Sequence, residues 1–192
     1  MIEENPGHSE WYIERFRTMA AAGQDIVGEA RLVDAMVARG SRVLDAGCGP
    51  GRVGGHLARM GHEVVGVDFD SVLIAAAEQD HPGPMWRVAD IAELDLPAAG
   101  IADGFDVAVC AGNVVTFLAP ESRRPVLARL ATHLRPAGRI VIGFGAGRDY
   151  PFDEFFADVE QVGLVVELTL SSWDLRRFTA DSDFLVAVLT GP

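Results

Sequence analysis

Short apolar runs alternate with longer amphipathic stretches along this chain, and the early runs each close on an acid or a glycine. Val43 and Leu44 begin the first run, which ends at Asp45; residues 63–68 (EVVGVD), 85–89, 105–111 (FDVAVCA) and 139–144 (RIVIGF) follow it. Consecutive apolar positions over such lengths are what strands covered on both faces require. Between them, apolar residues recur at helical spacing. Ile26, Ala30, Val33 and Val37 predict a helix over residues 24–39, stopped by Gly40, with Glu29 and Arg31 on its solvated side. Val53, Leu57 and Met60 share one face of a helix ending at Gly61. Another runs from Ser71, capped by Asp70, to a solvated His81, where Pro82, Gly83 and Pro84 break it. Leu127, Leu130 and Leu134 predict a helix over residues 122–135 with His133 at the surface, and residues 152–162 form the last. Residues 91–104 read as a loop.

The final two apolar runs, 164–170 (LVVELTL) and 184–189 (FLVAVL), have no helical pattern between them. The long polar segment 171–183 suits a hairpin rather than a crossover. The expected fold is therefore α/β: three layers, with a seven-stranded, mostly parallel sheet ending in an antiparallel β-hairpin. No repeats or linkers interrupt it.

The stretch 42–55 (RVLDAGCGPGRVGG) carries the chemistry. A strand, a glycine turn and a helix in that order form a nucleotide-type site. Glycine lets backbone approach a ligand, and the helix N-terminus offers unpaired N–H groups. Residues 49–54 fit G-x-G-x-x-G, a weak dinucleotide signal on its own. Asp45 shifts the balance, because a carboxylate there repels a pyrophosphate and attracts the sulfonium and ammonium of S-adenosylmethionine. At about 4 Å such a pair is worth roughly 1 kcal/mol in water and several times that when partly buried. Asp45 is equally able to accept backbone N–H bonds from the turn. Asp68 lies about 20 residues beyond Gly49, where an acid accepts the ribose hydroxyls of adenosine cofactors.

Residues 43–51 (VLDAGCGPG) resemble the glycine motif of class I S-adenosylmethionine-dependent methyltransferases. The resemblance continues at later positions and implies their Rossmann-like fold, with S-adenosylmethionine as cofactor and S-adenosylhomocysteine as product. It places Asp45, Gly47, Cys48, Gly49 and Gly51 at the cofactor, with Asp68 on the ribose and Phe69 beside the adenine. Asp90 with Ile91 matches the family's acid for the adenine amine; an Asx turn is the other role open to Asp90. Ala111 ends the fourth strand and Gly112 and Asn113 follow it at the ligand edge, Asn113 either orienting a ligand or capping its turn.

An N-terminal helix capped by Ser9, through Trp11, Tyr12, Phe16 and Met19 to near Gly23, resembles the lid of small methyltransferases. It is either that lid, with Tyr12 and Arg17 reaching the ligand, or a helix packed on the sheet edge. The expected organisation is a single methyltransferase domain over 1–192, with 1–40 a helical lid region and 41–192 the α/β core.

Composition narrows the partners. The 192 residues carry a formal charge of −12, and the 16 basic ones form no run, so the chain lacks the concentrated cations whose counterion release drives nucleic-acid binding. Anionic membranes are disfavoured likewise. Two cysteines form no disulfide framework and no metal site. The N-terminus lacks a secretory pattern, and a cytoplasmic location is expected. The expected activity is methyl transfer to a small molecule. Asp149 and Tyr150 are candidate bases and, with Arg148, suit a small polar substrate; the other reading of these three is a solvated loop before the last helix. Trp173, Asp174 and Arg176 either lean over the pocket or brace the sheet edge. The rival readings are a nicotinamide-dependent oxidoreductase, which Asp45 and the hairpin oppose, and a non-catalytic S-adenosylmethionine-binding protein.

Overall fold

A computed structural model describes residues 7–191; residues 1–6 of the expected lid region and Pro192 lie outside the described residues. Helices α1 (His8–Ala21) and α2 (Gly28–Met36) precede β1 (Arg42–Ala46), α3 (Arg52–Arg59), β2 (Glu63–Asp68), α4 (Ser71–Asp80) and β3 (Met85–Val88). Then come β4 (Phe105–Cys110), a 3-10 turn at Val114–Phe117, α5 (Pro120–Thr132), β5 (Leu134–Gly145), α6 (Phe152–Gln161), β6 (Val165–Leu170) and β7 (Phe184–Thr190). The seven strands form one sheet in the order β3-β2-β1-β4-β5-β7-β6. Only β7 runs against its neighbours, β5 and β6. The hairpin and the three-layer arrangement match the sequence expectation.

β1, β2, β4, β7 and the second half of β5 are buried on both faces, which explains their unbroken apolar runs, whereas the edge strands β3 and β6 are largely exposed. Alternate residues divide between two cores. Leu44, Ala108, Ile140, Ile142 and Leu185 face α5 and α6, meeting Leu127, Leu130 and Phe155. Val43, Val107, Val109, Val141 and Val186 face α2 and α3, meeting Ala30, Val33, Val53 and Leu57. Cys48, Ile74, Ala77 and Trp86 make a third, small cluster under the glycine turn.

Several local expectations are corrected. α2 begins at Gly28, not 24, because the Asp25 carboxylate accepts the Val27 N–H at 3.2 Å and pairs with Arg31 at 2.6 Å, a turn that competes with helix. Val37 is already extended, which ends α2 early. Glu29 is not on a solvated face: it holds Arg52 through two hydrogen bonds of 2.6 and 2.7 Å. α5 starts at Pro120, which suits a first helical turn, and stops before Leu134, which belongs to β5. Met60 follows the end of α3 and is exposed.

Two histidines read as surface residues are structural. His133 is buried; its Nε2 accepts the Leu96 N–H at 3.1 Å and its Nδ1 donates to the Arg129 carbonyl at 2.8 Å. It thereby fastens the 91–104 segment to α5. His81 packs against Gly55, and its carbonyl accepts the Trp86 indole N–H at 3.0 Å.

Trp86 fills the space that glycines leave on the α4 side of β2. A methyl group on Gly66 would overlap its ring. Gly66→Ala is therefore expected to lower stability by about 1–3 kcal/mol, read as an earlier urea midpoint with an unchanged slope.

Candidate functional site

The carboxyl ends of β1, β2, β4 and β5 lie side by side, and their turns form one concave edge. The turn after β1 is held by the end of β2: the Val67 carbonyl accepts both Gly47 N–H (2.8 Å) and Cys48 N–H (2.9 Å). Asp68 continues this attachment. Its Oδ2 accepts the Gly49 N–H at 2.9 Å and its Oδ1 the Asp70 N–H at 3.0 Å. Asp70 in turn caps α4 through Val72 N–H and Leu73 N–H. The head of β4 is tied to β5 likewise, Asn113 Oδ1 accepting the Gly145 N–H at 2.8 Å. Asn113 itself sits at φ 67°, a conformation that asparagine tolerates.

The glycines fall into two kinds. Those of the first kind leave room for neighbouring side chains: a Cβ on Gly47 would lie 2.6 Å from Val114, on Gly51 2.9 Å from Ala77, and on Gly54 2.9 Å from Asp45 and Trp86. Gly49 and Gly112, both at positive φ, face open space instead. Chain neighbours apart, a Cβ on either would come within 4 Å of a single atom among the described residues, and both atoms belong to Tyr12: Cε1 at 3.5 Å from Gly49 and the hydroxyl at 3.9 Å from Gly112. These two glycines and Asp68 border a cradle that the Tyr12 side chain enters from α1.

α1 covers this cradle. Ser9 does not cap it; Gly7 occupies that position, and the buried Ser9 hydroxyl donates to Asp70. Arg17 clasps Asp80 at 2.8 and 2.9 Å. Phe16 lies edge-on to Tyr12 and 5.0 Å from the Arg52 guanidinium.

A family model for the methyltransferase domain matches residues 43–138, half of the 192. The crystal structure of a TehB-like SAM-dependent methyltransferase from Corynebacterium glutamicum matches with a TM-score of 0.91 and 50% identity, over 98% of this chain and 100% of that one. The chain belongs to the class I S-adenosylmethionine-dependent methyltransferases. An uncharacterized methyltransferase of Mycobacterium tuberculosis strain H37Rv is 35% identical over 114 residues, 58% of this chain and 54% of the relative. The chain spans about half the length of the curated relatives it matches. The magnesium protoporphyrin IX methyltransferase of Synechocystis, solved with bound SAM, shares the fold at a TM-score of 0.66 and 19% identity, over 97% of this chain and 80% of that one.

In this methyltransferase the predicted site residues separate by direction. Asp45 does not stand open beside the turn. It is 2% exposed, its Oδ2 accepts the Gly54 N–H of α3 at 2.8 Å, and burial pushes its carboxyl up to about 7. The backbone-bonding role is thus the one the structure gives it, and a full negative charge aimed at a ligand is not. Burial also raises the Asp68 carboxyl. The Cys48 thiol lies in the cluster with Trp86 and donates to the Gly49 carbonyl at 3.6 Å, so it braces the turn from beneath. Ile91 and Ala111 are buried in the two main cores, while Phe69 is 63% exposed. Asp90 makes its Asx bond to Ala92 N–H at 2.8 Å and remains exposed at the sheet edge.

The remaining candidates are placed by their contacts. Arg17 reaches the end of α4, not the cradle. Tyr150 is 1% exposed, stacked on Phe144, and its hydroxyl donates to Asp158 at 2.8 Å. Burial pushes its phenol well above the usual range, so it is a core residue and no base. Asp149 is exposed and is held through its carbonyl by Arg123. Arg148 is exposed beside it. Trp173 braces the sheet: a Cβ on Gly143 would overlap its ring. Asp174 and Arg176 pair with each other at 3.1 Å in solvent. The Glu29–Arg52 pair was missed; Arg52 follows the glycine turn directly, but its partner lies 23 residues earlier, beyond local pattern reading.

Two predictions follow from burial and backbone. Gly54→Ala should lower the melting temperature, whereas Gly112→Ala should leave a folded protein whose S-adenosylmethionine affinity, read by calorimetry, drops about tenfold or more. The raised Asp45 carboxyl means the native state holds a proton that the unfolded chain has released. Stability should therefore fall as pH rises from about 4 through about 7. In Asp45→Asn, whose amide oxygen still accepts the Gly54 N–H, urea melts across that window should show a shallower decline.

Proposed function

We propose that this protein transfers the methyl group of S-adenosylmethionine to a small-molecule nucleophile, as one domain with α1 as its lid. The observation that carries this reading is the cradle between Gly49 and Gly112, with the Asp68 carboxylate at its side. Gly47, Gly51 and the Cys48 backbone shape the turn beneath the cofactor. Asp68, although it accepts two backbone N–H bonds, has further lone pairs for the ribose hydroxyls. Phe69 and Asp90, with the backbone at Ile91, serve the adenine end, and Ala111, Gly112 and Asn113 the methionine end.

The bound cofactor supplies an already activated sulfonium methyl. The chain's own task is to align the acceptor and exclude water, and orientation of this kind is worth up to roughly 7–11 kcal/mol. With Tyr150 in the core and Asp149 turned to solvent, no base is assigned among the described residues, and alignment is the main contribution. The acidic surface disfavours nucleic-acid acceptors. Among the described residues no helix is long and apolar enough to cross a membrane; we place the protein in the cytoplasm.

Calorimetry with S-adenosylmethionine, S-adenosylhomocysteine and NADH tests the cofactor assignment, and tighter NADH binding overturns it. Asp68→Asn should weaken S-adenosylmethionine about tenfold or more, the scale of one charged hydrogen bond. Release of S-adenosylhomocysteine in single turnovers across a metabolite library identifies the acceptor; no release with any member would favour a pure binding protein.

A further inference from the structure

S-adenosylmethionine carries a cationic sulfur and its product a neutral one, and neither nearby carboxylate is placed to register that difference. Asp45 is enclosed beneath α3 with its oxygen on Gly54 N–H. Asp68 spends one oxygen on Gly49 N–H and the other on Asp70 N–H, at the ribose side of the turn. The side chain that reaches both glycines is that of Tyr12, its Cε1 coming 3.5 Å from a Cβ placed on Gly49 and its hydroxyl 3.9 Å from one on Gly112. We infer that the ring of Tyr12 is the group that distinguishes the two forms, holding the sulfonium of the donor more tightly than the thioether of the product. This rests on the methyltransferase reading above.

The physical basis is the ring's electron-rich face, which attracts cations within about 6 Å and does so more strongly where water is excluded. The phenol stays protonated in neutral solution, because burial raises it beyond its usual range. Its contribution is therefore the ring and not a phenolate charge. The ring is also held from several sides. Phe16 meets it edge-on with centroids 4.9 Å apart and planes at 78°. Phe16 is itself backed by the Arg52 guanidinium, which Glu29 fixes with two hydrogen bonds. Ser9 on Asp70 and Arg17 on Asp80 fasten α1 on either side of Tyr12. A ring so fixed loses little freedom when a ligand arrives. The Glu29–Arg52 pair neutralises the cation behind Phe16, while the exposed Arg15 lies 5.9 Å from the same ring.

The consequence for turnover is that the same side chain that favours the donor ceases to hold the product once the methyl group and its charge have left. Tyr12 is thus a specificity residue for the charge state of the cofactor.

Titration calorimetry of wild type, Tyr12→Phe and Tyr12→Leu against S-adenosylmethionine and S-adenosylhomocysteine tests this, with circular dichroism as the control for folding. Tyr12→Phe is expected to keep the ratio of the two affinities. Tyr12→Leu is expected to lose about tenfold for S-adenosylmethionine while S-adenosylhomocysteine changes less than about threefold. Equal losses for both would make the ring a mere wall, and equal gains would make it a plug; either overturns the inference. Should Tyr12→Leu fail to fold, progressively fluorinated phenylalanines at position 12 keep the shape and drain the ring face. The affinity ratio must then fall step by step, and a constant ratio refutes the proposal. Wild type that binds neither ligand would instead remove the methyltransferase reading itself.

Discussion

The arrangement of the ligand edge hangs from one carbonyl. Val67, the penultimate residue of β2, accepts the N–H groups of Gly47 and Cys48 together, so the turn after β1 is suspended from the neighbouring strand. Asp68 extends the suspension to Gly49 and, through Asp70, to the start of α4. Buried N–H groups in a turn must find partners or cost free energy. Here they find them in β2, and the turn is thereby set at one height above the sheet. The cradle, the cover formed by α1 and the place of Tyr12 all depend on that height.

Once the turn is fixed, the glycines do different work on its two sides. Downward, Gly51 and Gly54 let α3 settle against Trp86 and Ala77, close enough that a side chain would collide. Upward, Gly49 and Gly112 leave backbone bare beneath Tyr12. The same residue type thus serves close packing on one side and an open backbone face on the other. This division explains why so dense a glycine stretch does not weaken the domain: most of the lost side-chain contact is returned by neighbours that move in.

Much of this was legible in the sequence, and the physical reason is burial. Strands covered on both faces must be apolar throughout, so β1, β2, β4 and β5 announce themselves, and the turn after β1 is spelled by its glycines. The polar residues were harder, because their roles depend on direction. Asp45 ends a strand whose alternate positions face opposite sides, and nothing local says that its carboxylate meets α3. Tyr150 closes an exposed loop yet swings into the core against Phe144 and Asp158. His133 gains both partners from contacts at sequence separations of 37 and 4. Tyr12 and Arg17 share one helix, but five residues of rotation send the first over the cradle and the second to Asp80.

The bond from Gly145 N–H to Asn113 makes the heads of β4 and β5 a single rigid rim. Arg123 and the buried Tyr150 pin the far end of the segment that follows, and Asp183 accepts the Ala146 N–H at its near end. Residues 147–149 and 174–177 are exposed and project from a frame that does not depend on their side chains, whereas Trp173 and Phe178 on either side of the second group pack inward. A lineage can rewrite those exposed positions while inheriting the strand heads beneath them unaltered.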